Sequence, residues 1–315
     1  MPLSVQQLAN RLTFRQLQVF LGVYQLKSYS KAGDLLGLTQ PAISSQIKHL
    51  ETALGIPVFE YVGRKLYCTA AGEKLAQSTH IIFNELRSLQ NDLAALRGQV
   101  AGDLNLVAVN TAQYVVPYLL KAFHQQHPDI NVQMRVVNRS EALRRLNDNQ
   151  DHLVIMGIVP TEKPLTSLPF LDNEFLPVVP GNHPLLQSDS PGMRDFINSG
   201  LLVREPGSGS RLAFDLYCQQ NRLTYQPKME LGSNDALKHA VLAGLGVAVL
   251  PKLSILPELR LGLLKVLPIA GFQLKRSWCV VHQKSKHPTP AMRAFLDFVQ
   301  ANLNTLATQF QSLEQ

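Results

Sequence analysis

Residues 39–50 read TQPAISSQIKHL, and the position of the proline decides how they fold. In a helix interior, proline removes a hydrogen bond and clashes with the preceding turn; in the first turn its missing N–H had no partner to lose. The stretch is therefore predicted to open a helix, with Thr39 as N-cap and Pro41 in the first turn. Ile43, Ile47 and Leu50 recur at helical spacing and form its inner face. Gln40, Ser44, Ser45, Gln46, Lys48 and His49 fall largely on the other side. Amides, hydroxyls and a cation on a short helix suit contact with a polar surface, although a merely solvated face has the same composition.

Working outward, YSKAGDLLG (29–37) predicts a preceding helix capped by Ser30, with Ala32, Leu35 and Leu36 inward and Gly37 in the left-handed position that ends it. Helix, tight glycine turn, helix is the helix-turn-helix layout, whose second helix enters the major groove in DNA-binding proteins. Upstream, FRQLQVFLGVYQL (14–26) places Phe14, Leu17, Phe20, Leu21 and Tyr24 on one helical face, a first helix packing behind the pair. Downstream, GIPVFEYVGRKLYCT (55–69) offers two extended segments around Val62-Gly63-Arg64-Lys65. This reads as a β-hairpin wing with Arg64 and Lys65 at its tip, able to reach phosphate while the helix reads bases. Helix-turn-helix geometry also occurs in bundles that bind nothing.

From Gly72 the chain continues GEKLAQSTHIIFNELRSLQNDLAALRGQV. Ile82, Leu86, Leu89, Leu93, Leu96 and Val100 are spaced alternately four and three apart, an a/d seam. A helix over 73–97 would be about 37 Å long. The narrow seam points to pairing of two chains, the other reading being a stripe packed on its own domain. A dimer would bring two reading helices to half-sites about one helical turn, or a multiple, apart. Gly98 and Gly102 are expected to end this helix.

Composition sets the bounds. The chain has 315 residues, 45% hydrophobic and 17% charged, which describes a globular protein of two or three domains. Of the net charge of +7, residues 1–98 carry +4, so the N-terminal third is the more basic part and favours a polyanionic partner. No apolar run approaches the roughly 18 residues needed to span a bilayer, and the opening MPLSVQQLANRL lacks a secretory pattern. Cys68, Cys218 and Cys279 form no CxxC or paired framework, so reduced thiols and a cytoplasmic location are expected, with no metal and no membrane partner.

After Gly102 the pattern changes to short apolar runs alternating with amphipathic segments. DLNLVAVN, INVQMRVV and HLVIMGIV read as strands, with helices at 115–127 and 139–147. FLPVVP, GLLVRE, KMELG, VAVLPKL and SWCVVHQ follow, with helices at about 211–220, 233–245 and 290–303. The alternation implies two α/β lobes, crossing near 158–174 and 271–278. Such lobes bind small ligands at the carboxyl ends of strands and the amino ends of helices. Asn110-Thr111-Ala112-Gln113, REPGSGSR (204–211) and GSNDALKH (232–239) all sit after strands. Together they suit an anion site of backbone N–H groups, hydroxyls and arginine, without general base or metal. Taken singly, each is also an ordinary turn and cap. GSGSR lacks the GK[ST] of a hydrolytic phosphate loop, and GLGVAV (244–249) is a helix end entering a strand.

From Leu12 to Gly72 the residues FRQLQVF…SYSKAGDLLGLTQPAISSQIKHLETALGIPVFEYVGRKLYCTAAG resemble the N-terminal domain of LysR-type transcriptional regulators. The resemblance implies a winged helix-turn-helix over 12–72 and a dimerising linker helix over 73–98. A two-lobed, periplasmic-binding-protein-like effector domain over 102–315 follows, with lobe I about 102–160 and 278–315 and lobe II about 174–271. It places Gln40, Pro41, Ser44, Ser45 and Lys48 in the groove and Arg64 on the wing. Thr39 at the cap and Lys65 at the hairpin tip complete the expected DNA-binding set. Tyr61 stands where the family usually has arginine, and Gly33 replaces a usual alanine, costing about 1 kcal/mol of helix stability.

The rear half, through NTAQYVVPYLL, NRSEAL, IMG, VREPGSGSR, ELGSNDALKHAVLAGLGVAVL and RSWCVVH, resembles the CbbR-like branch that controls carbon-fixation (RuBisCO) operons. The implied protein is a homodimeric or homotetrameric regulator, an activator or a repressor, and not an enzyme. Its partners would be promoter DNA, RNA polymerase and a small anionic co-inducer such as a sugar phosphate, 2-phosphoglycolate or a related acid. The implied effector contacts are Thr111, Ala112, Gln113, Ser208, Gly209, Arg211 and Asn234. Relatives tend to carry arginine after IMG where Ile158 stands here, implying a smaller or less charged ligand. The rival readings are a LysR-type regulator of sulfur or amino-acid metabolism with a non-phosphate effector, and a solute-binding protein or enzyme on the same lobes.

Overall fold

In the computed structural model, which describes residues 4–95, 100–285 and 288–314, the chain forms two units that divide between Ser88 and Leu89. The first begins with α1 (Val5–Arg11), α2 (Phe14–Leu26), α3 (Tyr29–Leu36) and α4 (Gln40–Leu54). Thr39 caps α4 through its hydroxyl, which accepts from Ala42 N, and Pro41 lies in the first turn. Ile43, Ile47 and Leu50 are fully buried, each worth roughly 1.5–3 kcal/mol of burial.

The helix before it is capped differently from the sequence expectation. Lys27 takes a left-handed conformation (φ 49°) that ends α2, and this redirects the chain so that Ser28, not Ser30, caps α3. Ala32 is buried and Gly37 is left-handed as expected, but Leu35 is 62% exposed and Phe14 57%. The inner face of α2 includes Val19 and Val23 beside Leu17 and Phe20. Gly33 has a reason beyond helix propensity: a Cβ there would meet the carbonyl oxygen of Leu38 at 2.6 Å. Only glycine lets the α3–α4 turn close this tightly.

The wing is an antiparallel hairpin of β1 (Phe59–Val62) and β2 (Lys65–Cys68), with Val62 opposite Lys65 and Gly63 at φ 64°. Glu51 of α4 accepts from the N–H groups of Val58 (2.8 Å) and Phe59 (3.3 Å), which fixes the wing against the helix. Thr69 accepts from Gly72 N and donates to the Pro57 carbonyl. That cap starts α5 (Ala70–Ala95) three residues earlier than expected. Along α5, Ala76 and Thr79 are buried, whereas Ile82, Leu86, Leu89 and Leu93 are exposed. Leu96 and Gly98 lie outside the described residues. Val100 falls after the described helix, and Gly102 opens a strand at φ 123°.

The second unit runs β3 (Gly102–Val109), α6 (Val116–Gln126), β4 (Ile130–Val137), α7 (Arg139–Asn147), β5 (Leu153–Met156) and β6 (Leu165–Pro180). Then come α8 (Met193–Asn198), β7 (Leu202–Arg204), α9 (Gly209–Gln220), β8 (Met229–Leu231), α10 (Asn234–Leu242) and β9 (Ala248–Pro251). It closes with α11 (Leu256–Arg260), β10 (Leu264–Val266), β11 (Lys275–Gln283), α12 (Pro290–Ala301) and α13 (Leu303–Glu314). β3 pairs in parallel with β4 and β5, and β7 with β8, the parallel crossovers the alternation implied.

One core gathers Leu104, Ile155, Trp278 and Phe295 around β3, β5 and β11. Two others gather lobe II residues such as Phe175, Phe196 and Phe214, and Leu202, Val241 and Leu250. The lobes are joined by β6 and β11, paired antiparallel from Lys275 opposite Glu174 to Gln283 opposite Leu165. Only the end of the 16-residue β6 had been expected; β10, α8, α11 and α13 had not.

Candidate functional site

Two surfaces carry the expected residues. On the first unit, Thr39, Gln40, Pro41, Ser44, Ser45 and Lys48 are exposed along α4, and Arg64 and Lys65 are exposed at the hairpin tip. Gln40, Arg64 and Lys65 border one groove of ≈ 630 Å³, together with Lys27, Ser28 and Ser30 at the start of α3. The sequence reading missed these last three, although the signal was there: a cation and two hydroxyls where a helix begins. The groove offers donors suited to phosphate oxygens beside a helix face suited to base edges.

The second surface is the crevice between the lobes. Lobe I contributes Val109 and Thr111 from the end of β3, and Arg139 from the start of α7. Met156, Gly157 and Ile158 follow from the end of β5. The crossing strands add Asn173 and Arg276, and lobe II adds Phe175, Gly209 and Ser210. Thr111 is held by Trp278, whose indole Nε1 donates to its hydroxyl at 3.1 Å. Arg139 Nε donates to the Ile158 carbonyl (2.8 Å). Burial lowers the Arg139 pKa from the usual guanidinium value, Glu162 opposing that shift. Ser210 Oγ is buried without a hydrogen-bond partner among the described residues, the kind of group a polar ligand satisfies.

The lobes touch around this crevice. Asn110, with its amide oriented to suit both neighbours, donates to Val137 O (2.9 Å) and accepts from Arg204 Nη2 (3.0 Å). Arg204, only 2% exposed, also donates to Glu205 and to Asn234 Oδ1 (2.8 Å). Tyr114 OH donates to Asp235 Oδ1 at 3.1 Å, and burial followed by Asp235 pushes its pKa up to about 12. The free volume of the crevice is only ≈ 10 Å³, about one water molecule.

Of the residues expected here, Thr111 and Gly209 line the crevice. Ala112 is buried beside it, Gln113 is half-buried in the same turn, Ser208 is buried as the α9 N-cap, and Asn234 is engaged with Arg204. Arg211 does not line the crevice. Its guanidinium turns onto Asp215 (3.1 Å), Glu230 (3.2 Å) and the Arg204 carbonyl, over the Tyr225 ring. The helical step of four to Asp215 draws it along its own helix instead of into the crevice. The missed cations are Arg139 and Arg276. Arg139 obeys the strand-end, helix-start rule that selected Asn110–Gln113, and Arg276 opens a strand. They restore the positive charge that Ile158 had been expected to remove, while the Ile158 side chain packs into the lobe II core.

Among the described residues no group of three or more His, Cys, Asp or Glu is placed to hold a metal ion, and no helix is long and apolar enough to cross a membrane. A winged helix-turn-helix unit, a long helix and a two-lobed unit with a cationic crevice define a DNA-binding regulator that responds to a small ligand. Residues 14–73 match the bacterial regulatory helix-turn-helix protein, lysR family, and residues 97–304 the LysR substrate binding domain. The chain belongs to the LysR family of regulators.

Similar proteins narrow the branch. The chain is 37% identical to the HTH-type transcriptional activator CmpR of Synechocystis sp. over 92% of its length and 95% of the relative's. It is 36% identical to the RuBisCO operon transcriptional regulator of Acidithiobacillus ferrooxidans, over 91% and 93%. Among solved structures, the Synechocystis CcmR regulatory domain in complex with 2-PG shares 32% identity and superposes with a TM-score of 0.61, covering 65% of this chain and 99% of that domain.

Proposed function

We propose that this chain activates transcription of carbon-fixation genes of the RuBisCO-operon type, that a small phosphorylated acid of the 2-phosphoglycolate class binds between its lobes, and that it catalyses no reaction. The observation that carries the ligand assignment is that Arg139 and Arg276 both line a crevice that also holds Ser210, whose buried hydroxyl has no hydrogen-bond partner among the described residues. Two guanidinium groups and converging hydroxyls recognise a phosphate or carboxylate. Thr111 and Gly209 complete the pocket, with Ser208, Ala112, Gln113 and Asn234 shaping its walls.

On the DNA side, Gln40, Pro41, Ser44 and Ser45 face base edges, Thr39 holds the helix start, and Lys48, Arg64 and Lys65 meet phosphates. The chain works in the cytoplasm as a homodimer or homotetramer built through Ile82, Leu86, Leu89 and Leu93. RNA polymerase is its further partner. Because the crevice is nearly shut, the ligand enters when the lobes part and then favours one lobe arrangement by its differential affinity. The spacing of the paired DNA-binding units follows that equilibrium.

The test is a nuclease footprint of the promoter region beside its own gene, with and without 2-phosphoglycolate. The proposal predicts a protected region whose length or hypersensitive positions change with the ligand. A footprint identical at saturating ligand contradicts the switch.

A further inference from the structure

The antiparallel ribbon that joins the lobes has two faces, and side chains alternate between them. Asn173 and Arg276, opposite one another, face the crevice. Their neighbours Asp172, Glu174, Lys275 and Ser277 line a separate cavity on the reverse side, of ≈ 430 Å³. This volume falls in the usual range for small-molecule sites, about 300–1,000 Å³, and exceeds that of the nearly closed front. Its walls come from both lobes: Lys252 and Leu253 follow β9, while Leu303, Ala307 and Phe310 belong to α13.

The polar rim is balanced. Lys252 and Lys275 supply two ammonium groups, and Asp172 and Glu174 two carboxylates. Lys252 lies 3.6 Å from Glu174, and Ser277 Oγ donates to Asp172 at 2.9 Å. A simple anion meets two carboxylates of its own sign beside the two ammonium groups; a simple cation fares the same with the signs reversed. A molecule carrying both an ammonium and a carboxylate satisfies both signs at once through charge-assisted hydrogen bonds. Beneath the rim, Phe170, Leu303 and Phe310 form an apolar floor. From this arrangement we propose a second ligand site, behind the hinge, for an α-amino acid with an apolar side chain. Its ammonium and carboxylate sit among the four charges, and its side chain lies on the floor. Because both lobes wall the cavity, its occupant biases the lobe arrangement from the side opposite the crevice.

Isothermal titration of the full-length protein tests this with three probes of one shape: L-phenylalanine, 3-phenylpropionate and phenethylamine. The expected result is saturable binding of L-phenylalanine, with the acid and the amine each at least tenfold weaker. Ala307→Trp, which fills the cavity, is expected to abolish that binding. Lys275→Glu, at an exposed position that tolerates change, weakens it tenfold or more, so the result does not hinge on the folding of one variant. Lack of binding by all three probes, equal binding of the acid or the amine, or L-phenylalanine binding unaffected by Lys275→Glu overturns the site.

Discussion

Ser140 N donates to the carbonyl of Gly207 at 3.1 Å, tying the first turn of α7 in lobe I to the loop that leads into α9 in lobe II. Gly207 has φ +89°, and a Cβ there would lie 2.6 Å from Ser140 Oγ and 3.1 Å from its Cβ. The nearly closed crevice depends on that close approach. Gly207→Ala therefore both strains the loop, by about 1–3 kcal/mol, and wedges the lobes apart. The expected outcome by calorimetry is at least tenfold weaker 2-phosphoglycolate binding; an unchanged Kd contradicts the lobe contact as part of the binding state.

Arg276 and Arg211 separate a ligand contact from a structural one. Arg276→Ala removes a cation from the crevice wall and is expected to lower 2-phosphoglycolate affinity 10- to 100-fold, with promoter binding and melting temperature little changed. Arg211→Ala breaks contacts to Asp215 and Glu230, so it is expected to lower the melting temperature by several degrees while the ligand response survives. Calorimetry and thermal melts on both variants distinguish the two, and a reversed pattern places Arg211, not Arg276, at the ligand.

Leu89 is 54% exposed and Leu93 51% on the outer face of α5. A charged group in a buried seam is costly. Leu89→Glu is expected to shift the sedimentation profile at micromolar concentration from dimer or larger toward monomer, and to weaken promoter binding at least tenfold. An unaltered oligomer removes this face from the interface.

Cys68 has its thiol pKa pushed up to about 11, mainly by desolvation and then by Glu73. Folding thus favours the neutral thiol. Its contribution to stability is present below the unfolded thiol pKa, and it declines as pH rises through about 11. Only the thiolate is nucleophilic, so alkylation of Cys68 by iodoacetamide at pH 8 is expected to be at least tenfold slower in the native protein than in the unfolded one. Equal rates contradict the burial that raises the pKa.

The N-terminal unit was legible because its signals are local. A threonine cap, a first-turn proline and three apolar residues at helical spacing all lie within twelve positions, and the structure reproduces them. Ser30 was mistaken for the cap because nothing in the sequence marks Lys27 as left-handed. The crevice was only half legible. Asn173 and Arg276 become neighbours through a ladder between strands a hundred residues apart in the chain, and no local pattern encodes that register. Arg211 was read from a local pattern instead. It adjoins a glycine- and serine-rich loop that looks like an anion cradle, but the helix it enters carries Asp215 one turn on. β10 has three residues, too few for alternation to show.

The central claim is that α4 and its wing read a specific duplex. Fluorescence anisotropy at fixed salt, with the promoter fragment beside the protein's own gene and a scrambled duplex of equal length and composition, tests it most directly. The account predicts a preference of at least about 10³-fold for the promoter; equal affinity for the two duplexes contradicts it.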